Sequence, residues 1–115
     1  MSRKTRSSRN IQGQAHAPVF AALGDETRLA LVGRLCRGQP RSISQLTERS
    51  NLTRQAITKH LRVLESAQIV HSVRTGRERL FEFDPEPIEE ARKYLDLVSE
   101  QWDQALSRLK AFVEE

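Results

Sequence analysis

Among 115 residues there is one cysteine, Cys36, which excludes an internal disulfide and any metal knuckle built from several cysteines of one chain. No apolar run approaches the roughly 18 residues of a membrane span. The basic start MSRKTRSSRN leads into no apolar stretch of the kind a secretory signal carries. Together these absences favour a reducing compartment, and the chain is expected in the cytoplasm, away from membranes. The three histidines, His16, His60 and His71, have no ligand spacing between them. Paired carboxylates in an apolar setting, a nucleophile beside a base and a glycine-rich phosphate loop are all missing, so catalysis is a poor reading and no cofactor is expected.

What is present is charge, and it is segregated. Charged residues make up 30% of the chain and apolar ones 37%, which allows one small core with a large surface, a balance often made up by dimerisation. Residues 1–11 carry four basic and no acidic groups, and residues 12–39 three basic and two acidic. Residues 40–80 carry eight basic and three acidic, residues 81–115 four basic and ten acidic. A basic middle with an acidic end held away from it suits a surface facing a polyanion.

Along the chain, residues 1–15 are rich in Arg, Ser, Gln and Gly and read as a disordered basic tail. Pro18 is positioned to start a short helix over Val19, Phe20 and Leu23, ended by Gly24. Asp25 caps a second helix, through Leu29, Leu31, Val32, Leu35 and Cys36 to Gly38, whose apolar residues cover more than one stripe and predict a central place in the core. As an isolated thiol among apolar neighbours, Cys36 is expected in that core. A third, short helix starts near Ser42 or Ser44 and includes Ile43 and Leu46. After a turn at Ser50–Leu52, Thr53 caps a fourth helix, TRQAITKHLRVLE. On that helix Ile57, Leu61 and Leu64 form one apolar stripe, and Gln55, Lys59, Arg62 and Ser66 lie opposite it with no acid among them.

Two helices joined by a short turn, the second basic on its outer face, form a helix-turn-helix pattern. The segment IVHSVRTGRERLFEFD follows, with β-rich runs Ile69–Val73 and Leu80–Phe83 around TGRE, where Gly76 suits a tight hairpin. Arg74, Arg77 and Arg79 crowd the hairpin tip, and a helix-turn-helix followed by such a hairpin is a winged helix. From Pro85 onward, Ile88, Ala91, Leu95, Val98, Trp102, Ala105, Leu109 and Phe112 alternate spacings of three and four, an unbroken heptad seam. About 28 helical residues at 1.5 Å each span roughly 40 Å, more than so small a domain can cover with its own core. The expected fold is therefore mainly α with a small β-hairpin: a winged helix over residues 16–84 and a dimerisation helix over 85–115.

The segments ALGDETRLALVGRL, LTERSNLTRQAITKHLRVLESAQIV and RTGRERLFEF resemble the ArsR/SmtB family of small bacterial winged-helix repressors, a match running over about residues 17–84. The resemblance implies a homodimer on a palindromic double-stranded DNA operator, its interface pairing first and last helices. On this chain those positions are Val19, Phe20, Leu95, Val98, Trp102, Leu106, Leu109 and Phe112. Metal-sensing relatives often carry a Cys-x-Cys pair before the recognition helix, where this chain has Ser42-Ile43-Ser44, or histidine ligands on the last helix, which here has none. A repressor without a metal centre is expected, and the inducer is unknown.

The roles assigned follow from side-chain chemistry. Gln55 offers an amide to adenine, Arg62 or Lys59 reaches guanine or phosphate, and Thr58 is small enough to approach a thymine methyl. Arg54 and the wing arginines hold phosphates. Ser44 and Thr53 stand at the helix starts facing the same DNA, and His60, flanking the apolar stripe, is expected to be structural or to touch phosphate. The competing readings are a winged-helix protein-interaction module, recruiting a partner through its last helix, and a non-specific architectural DNA binder.

Overall fold

A computed structural model describes residues 8–114, with side chains from residue 14 onward. Helix α1 spans Ser8–Leu23, α2 Glu26–Arg37, α3 Ile43–Glu48 and α4 Arg54–Ser66. Strand β1 is Arg41–Ser42, β2 Val70–Thr75 and β3 Glu78–Phe83, and α5 closes the chain over Glu86–Glu114. The strands form one antiparallel sheet in the order β1-β3-β2.

The core is built where these elements turn one face inward. Ile57, Leu61 and Leu64 of α4 are almost completely buried, as are Leu46 of α3 and Ile69 and Val70 at the base of the wing. Val19 and Ala22 of α1, Leu31, Val32 and Leu35 of α2, Phe81 of β3 and Ala91 of α5 complete it. Burying each large aliphatic side chain here contributes about 1.5–3 kcal/mol. Local chemistry sets the ends: the Asp25 carboxylate accepts from the Arg28 N–H at the start of α2. Ser42 and Gln45 form a reciprocal capping box at the start of α3, and Thr53 Oγ1 accepts from the Ala56 N–H at the start of α4.

Four expectations are corrected. The tail read over residues 1–15 is helical from Ser8, and Pro18 lies inside α1 instead of starting it; residues 1–7 fall outside the described ones. Farther along α1, in packing that local sequence does not reveal, His16 and Phe20 both lie on Tyr94 of α5, with ring centroids 5.2 and 6.3 Å away. Val19, assigned to a dimer face, is 4% exposed and belongs to its own chain's core. Helix α2 does take a central place through the buried Leu31, Val32 and Leu35, with Leu29 exposed. Cys36 is exposed as well, because it lies about 100° past Leu35 on a helix whose buried stripe ends there.

The hairpin is a two-residue turn, Gly76–Arg77, between the paired Thr75 and Glu78. Gly76 has φ +63°, the left-handed value that glycine adopts without steric cost. At its far end α5 leaves the core: Ile88 and Ala91 pack inward, whereas Trp102, Leu106, Leu109 and Phe112 are 63%, 61%, 58% and 74% exposed.

Candidate nucleic-acid interface

The amphipathic pitch of α4 separates its two jobs. With Ile57, Leu61 and Leu64 anchored in the core, Arg54, Gln55, Thr58, Lys59 and Arg62 line one open concavity on the outer face. No acid lines it. The nearest carboxylate on the helix, Glu65, is drawn aside, its Oε2 accepting from Ser72 Oγ of β2 at 3.0 Å. Thr58 Oγ1 donates to the Arg54 carbonyl at 2.7 Å, which leaves its methyl group as the part offered outward. Arg54 Nη1 donates to Ser44 Oγ at 2.6 Å, fastening the start of α3 to the start of α4. Ser44, Thr53, Arg54, Gln55, Thr58, Lys59 and Arg62 are thus brought to one region, Thr53 through its cap.

His60 is directed elsewhere. Its Nδ1 accepts from Arg28 Nη1 at 3.3 Å and stands 3.8 Å from the Asp25 carboxylate, so of the two roles expected for it the geometry fits the structural one. Arg28 is a tie that sequence reasoning missed. Its Nε donates to the Ala22 carbonyl at 2.6 Å while its backbone N–H is held by Asp25, so one side chain joins the end of α1, the start of α2 and the flank of α4. The cap bond from the Arg28 N–H holds the Asp25 carboxyl below the usual carboxylate pKa, with the Arg28 charge adding to it.

In the wing, register makes the charges informative. Arg74 and Arg79 are directly opposite cross-strand partners, and Arg77 sits in the turn, all three exposed. Like charges placed opposite one another destabilise a hairpin, so the arrangement suits a polyanion that neutralises both. At the wing's base, His71 Nε2 is 2.7 Å from Asp84 Oδ2, and Asp84 Oδ1 accepts from the Glu86 N–H at the start of α5. The Glu86 bond and then His71 lower the Asp84 pKa. Among the described residues no group of three or more His, Cys, Asp or Glu side chains could hold a metal ion. No described helix is long and apolar enough to cross a membrane.

A helix-turn-helix domain family matches residues 23–73. The chain is 40% identical over 81 residues to the HTH-type transcriptional regulator YuzN of Bacillus subtilis, covering 65% of this chain and 88% of that one. It is 35% identical over 88 residues to the HTH-type transcriptional regulator Rv2034 of Mycobacterium tuberculosis, covering 76% and 78%. Among solved structures, an ArsR-like transcriptional regulator from Rhodococcus sp. RHA1 superposes with TM-score 0.76 at 35% identity, over 86% of this chain and 92% of that one. The chain belongs to the ArsR family. It is a winged helix-turn-helix transcriptional regulator of the DNA-binding class and not an enzyme.

Within that ArsR-family frame, Arg28 and the two-residue strand β1 were the parts missed. Arg41 pairs with Phe81 and Ser42 with Leu80, which joins the wing to the start of α3. Two residues are too few for alternation to show, so the strand had no readable signal.

Proposed function

We propose that this ArsR-family chain is a homodimeric repressor that reads a palindromic operator with α4, steadies itself on the backbone with the wing, and responds to no metal. The observation that carries the reading is the acid-free row Arg54, Gln55, Thr58, Lys59 and Arg62 on a helix whose other face is locked into the core. An amide and two long cations at this pitch match base edges in a major groove, and Arg74, Arg77 and Arg79 match the phosphates beside it. Two such units are needed, because one recognition helix reads few base pairs; the seam of α5 supplies a face for the second copy through the exposed Leu95, Trp102, Leu106, Leu109 and Phe112 and the half-buried Val98.

Indifference to metal follows from the chemistry at the start of α3. Serine hydroxyls are poor ligands for soft or borderline cations, and both are engaged: Ser42 in the capping box, Ser44 by Arg54. The working compartment is the cytoplasm, where the chromosome is. Selecting bound duplexes from a random DNA pool tests the reading. Enrichment of an inverted repeat with half-sites about one or two helical turns apart is expected. Binding unchanged by zinc, arsenite or chelator completes it, whereas an unenriched pool would leave only backbone binding.

A further inference from the structure

Where α2 ends, β1 passes and α3 ends, four arginines converge. Arg34 and Arg37 of α2, Arg41 of β1 and Arg49 at the C-terminal cap of α3 line a small cavity together with Gly38, and no carboxylate lines it. None of the four is ion-paired to a described acid. Part of this has a structural purpose. Arg34 donates from Nη1 to the Leu46 carbonyl at 2.8 Å and from Nη2 to the Gln45 carbonyl at 3.2 Å, closing the end of α3. A helix C-terminus carries about half a negative charge, which accounts for one cation there and not four.

Arg37 Nε donates to the Gly33 carbonyl at 2.9 Å, but the cluster is not fully satisfied. Arg41 Nε is buried without a hydrogen-bond partner among the described residues. Burial, with the charges of Arg41 and Arg49 beside it, holds the Arg34 guanidinium below its ordinary pKa, the mark of cations crowding one another. Gly38 permits the crowding: a Cβ there would stand 3.1 Å from an Arg41 Nη. Guanidinium forks match the paired oxygens of a tetrahedral oxyanion, and an anion seated among them would relieve the repulsion.

We propose that this cluster is a binding site for a small phosphate-class oxyanion, free phosphate, pyrophosphate or a phosphorylated metabolite. A DNA strand offers the same chemistry, but the location argues against it. Arg34 holds the Gln45 and Leu46 carbonyls, Arg49 caps the C-terminal end of α3, and Arg41, though it precedes the Ser42 cap, directs its guanidinium to Gly38 at the end of α2, whereas Ser44 is held by Arg54 of α4. None of the four arginines lines the α4 concavity. Occupancy would nonetheless reach the DNA-reading helix, because Arg34 grips α3 and α3 is fastened to α4 through Ser44; this last step rests on the proposed function, the binding itself does not.

The test begins without DNA. The thermal midpoint of the full chain is followed against pyrophosphate, with sodium chloride at matched ionic strength as reference. A ligand at a hundred times its Kd raises stability by about 2.7 kcal/mol, a shift of several degrees for a domain of this size. The double variant Arg37→Ala, Arg49→Ala removes two exposed side chains and is expected to keep its unliganded midpoint while losing that shift. A shift no larger than with chloride, or one equal in variant and parent, overturns the proposal. In phosphate-free buffer the variant is expected to bind random duplex DNA as the parent does. Weaker DNA binding with a shallower salt slope and no pyrophosphate response would assign the cluster to the DNA backbone and overturn the small-anion site.

Discussion

At the scale of single residues, the outer face of α4 and the tip of the wing are proposed to make two kinds of contact, which mutation can separate. Gln55 and Arg62 line the acid-free concavity with side chains long enough for base edges. Replacing either by alanine is expected to weaken a selected operator by about 1–3 kcal/mol and random DNA by less. Arg77, in the hairpin turn, is expected to behave oppositely: Arg77→Ala weakens all sequences alike and makes the salt slope shallower by about one ion. Fluorescence anisotropy over a range of salt reads both, and equal losses on operator and random DNA for Gln55→Ala would reduce Gln55 to a backbone contact. Asp25 makes a different single-residue prediction. Its pKa is lowered on folding by the Arg28 cap bond, so the unfolded chain takes up the proton first as pH falls. The cap's contribution is therefore complete above the ordinary carboxylate range and is lost as pH falls through the depressed folded pKa. Asp25→Ala should melt below the parent at neutral pH and converge with it in acid, as thermal midpoints measured from pH 7 to pH 2 would report.

At the scale of elements, the junction between α4 and the wing shows how a sequence can conceal a cap. The Gln68 N–H donates to the Glu65 carbonyl at 2.9 Å and the Ile69 N–H to the Leu64 carbonyl at 3.0 Å, with Gln68 at φ +63°. This is a Schellman motif, and its usual apolar contact is supplied by the buried Leu64 and Ile69. Glycine normally takes the left-handed position; a side chain there costs about 1–2 kcal/mol. Gln68→Gly is expected to raise the unfolding free energy by about 1 kcal/mol, after the entropy glycine adds to the unfolded chain, measured by urea denaturation. An unchanged or lowered midpoint would mean that the Gln68 side chain repays its strain. Sequence reading put the boundary in the right place because the β-rich run after it was legible, but the glycine that announces such a stop is absent. The same contrast runs through the fold. Helices α2 and α4 announced themselves through Asp25 and Thr53 at their starts and apolar spacing behind them, and α3 through a start near Ser42 or Ser44, of which Ser42 is the cap. The extent of α1 and the strand β1 did not, because Tyr94, which packs on His16 and Phe20, and Phe81, which pairs with Arg41, are distant in the chain. Of the candidate site, the α4 row and the wing arginines were legible from pitch and hairpin pattern. Arg28, the partner of His60, was not, since a tie across 32 residues has no local signature.

For the molecule as a whole, shape is the informative quantity. A compact chain of this length has a radius of gyration of about 13 Å. This one measures 18.9 Å, within 65 × 41 × 22 Å, because α5 runs 29 residues and only its first turns meet the core. A rod carrying Trp102, Leu106, Leu109 and Phe112 mostly in solvent is poorly explained as part of one folded unit. It suits the proposed interface between two copies, in which Trp102, near the middle of the exposed seam, is expected to lose most area to a partner. Trp102→Asp places a charge on that seam without touching the core or any residue of the candidate DNA face. The variant is expected to keep its helical content, to sediment as a monomer at micromolar concentration, and to bind an inverted-repeat operator about 100-fold more weakly or worse, since each unit then holds one half-site alone. Its affinity for a single half-site should match that of the parent. Sedimentation and anisotropy together decide the matter: a monomer with undiminished affinity for the full operator would show that the long helix serves something other than dimerisation on DNA.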